Sequence, residues 1–537
     1  MRDGIFLSGL VCRPDSEGPF PCVLTRSCYT KWNVRLHERM RFWTSKGYVL
    51  VVQDVRGRGD SDGIFYPIVT EKQDGLDTLT WIAAQSWSDG RVVMYGGSYA
   101  GWTQLYLAPE NPAALVAVVP TVAPPDPDRS FPMDHGIPVP SAAAWLASLD
   151  GRTNQDLAVC DVQAAFGALP IIDFDRHIGR HLGAWRDWIE NAGDTPYWRA
   201  QRYQQDLPTS EVPMLHVSGW YDDCLVGTTE NFSAMTRQAR QSGARRAQRM
   251  MVGPWTHGGI GERRIGDVDY GPQAQINVLD LQHRWFETHL RGEEDPSPPV
   301  HLFVMGPNRW MLEHEWPLER TAYIPYYLHS DGAANSRLGN GSLSTVPPDE
   351  EPADTFRYDP ANPVPYCSNF DWKQVGGPDD FAAIELREDI LVYTGPILTE
   401  PLLICGPLRV RLFAASSARD TDWTAKILDV HPDGKAIRLN DGIVRARFRH
   451  GTGAEHFLDS GTTEEYLIDC WATCIELPVA HRLRVEIASS AFGKTDVNQN
   501  GGGPIGRESI PIIAEQTIYH DRQRPSHLLL PVVRDRP

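Results

Sequence analysis

Over the first third of the chain, short apolar runs alternate with stretches of helical spacing. Residues 21–25 and 48–53 are Val- and Leu-rich runs of the kind found in strands buried on both faces. Between them, 34–46 has helical character and stops at Gly47. A second helix is predicted over 74–84, a strand over 92–95 and a helix over 102–108. Strand–helix alternation of this kind implies a parallel sheet with crossover helices. The pattern resumes with strands at 214–218 and 249–252 and a helix at 278–290. From about 124 to 207 it is broken by proline-rich links and helical segments carrying Trp145, Trp185, Trp188 and Trp198. Such an insertion, leaving from the end of a sheet where active sites lie, is a natural cap. Beyond about residue 322, short strands at 408–413, 424–430, 443–448 and 484–488 are separated by Gly, Pro, Asn and Asp clusters. That spacing predicts an all-β sandwich or jelly roll. The expected organisation is an α/β domain made of 1–124 and 208–321, a helical cap over 125–207, and a jelly roll over 322–537.

Composition narrows the function classes. A length of 537 residues is too great for one ordinary core, and 41 % hydrophobic residues with 17 tryptophans permit several large ones. The formal charge of −18 argues against nucleic-acid or anionic-membrane partners, which need basic patches. It leaves room for a homodimer. Nine cysteines, an odd number, do not resemble a disulfide framework. Cys470 and Cys474 are read as buried apolar residues rather than metal ligands. The N-terminus has no basic region followed by an apolar core, and no apolar run of about 20 residues appears. A cytoplasmic setting is expected, with no cofactor and no metal.

The chemistry centres on Ser98. The run Arg91-Val-Val-Met-Tyr-Gly-Gly-Ser-Tyr-Ala-Gly101 passes from strand to helix with almost no side chains in the way. A tight strand–Ser–helix turn requires small flanks, because the strained serine brings neighbouring backbones together. The pattern departs from G-x-S-x-G: Ala100 holds the second glycine position and Gly101 follows. Alanine is still small enough. A serine hydroxyl needs a base, and the base needs an orienting carboxylate. The α/β-hydrolase order is Ser, then Asp or Glu, then His, each just past a strand. Asp222 and Asp223 follow the strand at 214, and His257 follows the strand at 249. Spacing does not separate the two aspartates, and either could cap the next helix.

Gly96-Gly-Ser-Tyr-Ala-Gly101, Gly219-Trp-Tyr-Asp222 and Gly253-Pro-Trp-Thr-His257 resemble the three signatures of the cocaine esterase / X-prolyl dipeptidyl-peptidase family of serine hydrolases. The runs 53–63, Trp87-Ser-Asp-Gly90, His289-Leu-Arg-Gly292, 420–426 and Asp441-Gly-Ile-Val444 are similar too. The resemblance covers essentially the whole chain and is strongest to the bacterial cocaine esterases. It implies an α/β-hydrolase core, a helical cap and a C-terminal jelly roll. It also implies that Asp222, and not Asp223, is the triad acid, and that Tyr29 supplies an oxyanion-hole hydroxyl. Tyr29 follows the first buried strand, where an oxyanion donor is expected, and the N–H of Tyr99 would be the second donor.

The expected reaction is hydrolysis of a small-molecule ester through an acyl-Ser98 intermediate, with an acid limb within about a unit of 6.5 from His257. Trp220, Trp255, Trp102, Trp145 and Phe131 either line an apolar or aromatic acyl pocket or pack in the core. The esterases carry phenylalanine two residues beyond the triad aspartate; this chain has Cys224 there, and Asp223 replaces a glycine. The pocket wall is therefore smaller and more acidic. An extra carboxylate also suits the ammonium group of aminopeptidase or α-amino acid ester substrates, so that reading, or acyl transfer, is the alternative. A further alternative is an inert hydrolase part beside a ligand-binding jelly roll. Residues around Phe370 to Trp372 are candidates to wall the site from the jelly roll. Arg58-Gly-Asp60 spells an adhesion tripeptide and is discounted.

Overall fold

The computed structural model of the chain describes residues 1–33, 35–293, 295–366 and 376–534. The chain runs through β1 (Gly9–Cys12), β2 (Phe20–Ser27), α1 (Leu36–Ser45), β3 (Val49–Asp54), α2 (Glu71–Ala83), β4 (Ser88–Gly97), α3 (Tyr99–Leu105) and β5 (Leu115–Thr121). An insertion follows. It holds the two-residue strands β6 (Met133–Asp134) and β7 (Ile137–Pro138), then α4 (Pro140–Ser148), α5 (Val162–Gly167), α6 (Phe174–His177), α7 (Gly183–Glu190) and α8 (Pro196–Arg199). The α/β pattern returns with β8 (Met214–Tyr221), α9 (Leu225–Gln238), α10 (Ser242–Arg246) and β9 (Gln248–Thr256). After β10 (Arg264–Ile265) and β11 (Val268–Asp269) come α11 (Val278–Arg291), β12 (Val300–Val304) and β13 (Arg309–Glu313).

These strands form one sheet in the order β1-β3-β2-β4-β5-β8-β9-β12-β13. The pairings from β3 through β12 are parallel, and antiparallel β1 and β13 close the two edges. All six residues of β3 and all eight of β8 are buried, as strands covered on both faces must be. Alternate residues serve opposite faces. Val23, Leu50 and Val93 pack with Trp43 of α1 and Trp285 of α11, while Leu24, Val51 and Met94 pack with Ile82 of α2 and Trp102 of α3. Strand β2 pairs with β3 on one side and β4 on the other, so the strand order reverses there. A crevice opens at such a point beyond the carboxyl ends of the strands. Tyr29 lies just past β2 and Ser98 just past β4.

The insertion has its own apolar cluster, with Trp185, Trp188 and Trp198 fully buried among Phe166, Ile171 and Phe174. Arg58 ties it to the sheet: its guanidinium donates to the carbonyls of Cys28 (2.7 Å) and Leu149 and to Asn154 Oδ1 (2.8 Å). That side chain is wholly buried, which removes the adhesion reading of Arg58-Gly-Asp60.

The C-terminal part is a second, β-rich unit. It comprises β14 (Thr321–His329), β15 (Ser342–Ser344), β16 (Asp354–Tyr358), β17 (Leu391–Thr394), β18 (Leu402–Ser416), β19 (Asp422–Val430), β20 (Ala436–Arg445), β21 (Glu464–Leu477), β22 (Arg482–Ala488), β23 (Ala514–Tyr519) and β24 (His527–Val533). All eleven are connected by ladders, nearly all antiparallel, and β15–β17 is the parallel exception. The expected strand at 443–448 ends early. Residues Ala446–Phe448 form a 3-10 turn, because the Asp420 carboxylate accepts from Arg447 N (2.9 Å) and Nε (2.8 Å) and pulls the chain out of the ladder. The two units share one apolar core that runs from Val23 and Trp220 through Trp316 to Ile475. Backbone bonds stitch them as well, with Met305 N donating to Cys474 O (3.0 Å) and Glu476 N to Met305 O (2.9 Å).

Candidate active site

Ser98 has φ 57° and ψ −122°, a conformation that costs a non-glycine residue about 1–3 kcal/mol. The neighbourhood over-determines it. Ser98 N donates to Thr121 O (2.9 Å), and Ser98 O accepts from Gly101 N (2.8 Å) and Trp102 N (3.2 Å). A Cβ on Gly96 would lie 2.4 Å from Ala100 Cβ, and one on Gly101 would lie 2.6 Å from Ala123 Cβ. Glycine is therefore required one residue later than in the usual pattern, and the position of Ala100 tolerates a methyl group. Tyr99 opens α3, so its N–H has no acceptor within the helix. Its side chain is an anchor: the hydroxyl donates to Glu71 Oε1 (2.7 Å) and accepts from Ile68 N (3.0 Å), and Glu71 in turn pairs with Arg26 (2.8 Å). Burial pushes the Tyr99 phenol well above its ordinary range, so it stays neutral.

His257 follows β9, and Asp222 follows the adjacent strand β8. His257 Nδ1 lies 2.8 Å from Asp222 Oδ1 in a hydrogen bond. Asp222 is fully buried, and its remaining acceptor capacity is used by Cys224 N (2.9 Å, to Oδ1) and Ser218 Oγ (2.5 Å, to Oδ2). Asp223 Oδ1 is 3.1 Å from the same nitrogen but forms no hydrogen bond with it. The two aspartates that spacing left open thus differ: Asp222 holds the N–H, and Asp223 adds charge. Burial disfavours the charged imidazole, but Asp223 and Asp222 overcome it and hold His257 well above the ordinary histidine range.

Tyr29 OH donates to Ser98 Oγ at 3.4 Å and accepts from Trp145 Nε1 at 3.1 Å. Burial raises its phenol, which keeps the proton available for donation. Trp145 packs between Tyr99 (6.0 Å between ring centres) and Phe131 (5.7 Å, edge-on). Tyr29, Gly97, Thr121 and His257 line one cavity of about 770 Å³ that opens over the carboxyl ends of the strands. Among the described residues no hydrogen bond joins His257 to Ser98; the group on the serine oxygen is Tyr29.

Phe131 and Asp223 line a small hollow with Ser130, Asp134, Trp471 and Lys494, so the β-rich unit does reach this side of the site. Cys224 is buried behind Asp222. Trp220 and Trp255, which the sequence left open between substrate pocket and core, are fully buried core residues. Trp220 Nε1 donates to Phe303 O (2.8 Å) and Trp255 Nε1 to Ala274 O (3.0 Å), while their rings pack on Trp316 and Trp310. Trp102 is buried likewise, with its N–H on Pro125 O (2.9 Å). Phe370–Trp372 lie outside the described residues. Sequence reasoning missed Ser218, Glu71 and Arg26. Ser218 stands four residues before Asp222 in one run and could have been suspected, whereas Glu71 and Arg26 carry no local signal.

Comparison with known proteins adds an independent line. Residues 3–259 match the X-Pro dipeptidyl-peptidase (S15) family, and residues 293–529 match the X-Pro dipeptidyl-peptidase C-terminal non-catalytic domain. The cocaine esterase of Rhodococcus sp. (strain MB1 Bresler) is 36 % identical over 568 residues, covering 99 % of this chain and 97 % of that protein. An aminopeptidase from a marine-sediment Thaumarchaeota archaeon superposes with a TM-score of 0.88 at 24 % identity, covering 99 % of this chain and 95 % of that one. An α-amino acid ester hydrolase superposes with a TM-score of 0.87 at 23 % identity and the same coverage. At those identities the two structures share the fold alone.

Proposed function

The chain belongs to the S15 / cocaine esterase family of serine hydrolases, and from that premise we propose that it is a carboxylesterase acting through Ser98, His257 and Asp222. The observation that carries this reading is the strained elbow at Ser98, whose oxygen already has a phenol donor 3.4 Å away. When an ester carbonyl enters, Tyr29 OH turns from Ser98 Oγ to the carbonyl oxygen. Ser98 then offers its proton to His257 Nε2, and Asp222 keeps Nδ1 protonated. The hydroxyl attacks, Tyr29 O–H and Tyr99 N–H hold the oxyanion, and the alcohol leaves with the proton from His257. Water repeats the sequence on the acyl-enzyme. Trp145 and Phe131 would face an apolar or aromatic acyl group, with Cys224 and Asp223 behind.

Asp223 bears on the choice between ester and α-amino substrates. Its carboxylate is 3.1 Å from His257 Nδ1, so its charge is already directed at the base rather than offered to a substrate ammonium. That favours the carboxylesterase over aminopeptidase, α-amino acid ester hydrolase or acyltransferase activity. Rates with p-nitrophenyl butyrate and benzoate, set against Xaa-Pro-p-nitroanilide, test it. Ester turnover should dominate, and a faster anilide reaction would reverse the assignment. We also propose the domain limits 1–124 with 208–321, 125–207 and 322–537, with a jelly roll in the last. Eight free cysteines among the described residues support a reducing, cytoplasmic setting.

A further inference from the structure

The β-rich unit carries a second convergence of chemistry-bearing side chains, away from Ser98. In β19 and β22 the register pairs Asp429 with Leu483 and Val430 with Arg482. One step further along this antiparallel pair sets His431 opposite His481. His431 directly follows the end of β19, His481 directly precedes β22, and Asp429 is the second-last residue of β19. Two imidazoles and one carboxylate meet at this end of the sheet.

Their geometry is tight. Asp429 Oδ1 lies 2.8 Å from His481 Nδ1, and Oδ2 lies 3.2 Å from His431 Nε2. The ring centres are 4.5 Å apart, and one ligand atom from each residue falls within 4.8 Å of the others. The backbone holds the group in place. His431 N donates to Lys435 O (2.9 Å), closing the turn to β20, and Gly434 supplies the φ of +91° that the turn needs. Asp429 is buried at 7 % side-chain exposure, whereas His431 remains 34 % exposed, which leaves an entry path and room for water ligands.

We propose that Asp429, His431 and His481 form a binding site for a divalent transition-metal ion of the zinc class, independent of the hydrolytic centre. Two histidine nitrogens and one carboxylate are the donor set of three-ligand zinc and related sites, with water completing the shell. On binding, each ring acts as a neutral imidazole, with its one proton on the ring nitrogen away from Asp429 and the lone pair of the facing nitrogen donated to the metal. The bound ion pins the β19–β20 turn to the start of β22. Asp222, Asp223, Cys224 and His257 also cluster within 4.8 Å and are the competing destination.

The test is calorimetric titration of the metal-free full-length protein with Zn²⁺, with Co²⁺ absorption as a report on ligand type. It compares the wild type with His431→Gln, His481→Gln, Asp429→Asn and His257→Gln. Glutamine can keep a hydrogen bond to Asp429 but is a poor ligand, so loss of binding would not merely report loss of fold. Expected is a single saturable event in the wild type and in His257→Gln, weakened roughly tenfold or more in the other three. Ester turnover of metal-free His431→Gln should equal that of the wild type. Absence of saturable binding in the wild type would overturn the proposal. So would binding that survives in both His431→Gln and His481→Gln, or that vanishes only in His257→Gln.

Discussion

Two carboxylates reach one imidazole at the proposed catalytic centre, and they do different things. Asp222 accepts the Nδ1 proton and is itself held by Ser218 and the Cys224 amide, whereas Asp223 contributes charge from 3.1 Å. Replacing Asp222 with Asn should lower turnover about 10⁴-fold, since the imidazole loses its tautomer and orientation. Asp223→Asn should cost far less in rate but should move the pH profile. The base must be neutral to act. A histidine held well above its ordinary range therefore develops activity only at higher pH than the residue type alone suggests, and the acid limb lies above the position expected from the sequence. Removing the Asp223 charge lets burial pull it back, and the acid limb of kcat/KM should move to lower pH. An unmoved limb would mean that Asp223 does not couple to the base. Tyr29→Phe should reduce kcat by about 10²–10³ with little change in KM, the signature of a lost oxyanion donor. Spacing indicated Ser98 and His257 because each follows a strand at a turn rich in small residues. It did not separate Asp222 from Asp223, because neighbours on a loop differ only in where their side chains end up.

At the level of elements, the elbow and the β8–β9 approach set the geometry. A Cβ on Gly219 would stand 2.0 Å from Trp255 O, so no side chain fits where these adjacent strands deliver Asp222 and His257. Gly219→Ala should therefore lower stability by about 1–3 kcal/mol, as overpacking does, and reduce kcat by displacing Asp222 from His257. Chemical denaturation and ester kinetics on the same preparation check both effects. Helices α1 and α11 were legible because their apolar positions recur with helical period. Strand ends were less so. β4 begins at polar Ser88, four residues before its apolar run, because Ser88 pairs with Phe20 across the ladder. β18 extends over 15 residues but changes register between Pro407 and Arg409, so only its regular second half shows alternation. Trp220 and Trp255 flank the catalytic loops in sequence yet point into the core, since side chains alternate along a strand and adjacency in the chain says little about direction.

For the whole molecule, one apolar core passes from the α/β sheet through Trp316 into the β-rich unit. The change from an α/β part to a β-rich C-terminal part was visible from the change in apolar period. The continuity of the core was not, because it depends on which faces meet. A fragment ending at residue 321 should expose that surface and fail to fold cooperatively, which far-UV circular dichroism on heating would show as a broad, non-sigmoidal transition. The same long-range assembly is what brings Ser98, Asp222 and His257 from three separate crossovers to one rim of the sheet. The central claim is that the hydroxyl so exposed becomes acylated during turnover. Acid quenching during turnover of p-nitrophenyl butyrate, followed by peptide mass spectrometry, tests it most directly. A butyryl adduct should appear on Ser98 in the wild type and be absent, along with turnover, in Ser98→Ala. An adduct on another residue, or ester hydrolysis undiminished in Ser98→Ala, would contradict the account.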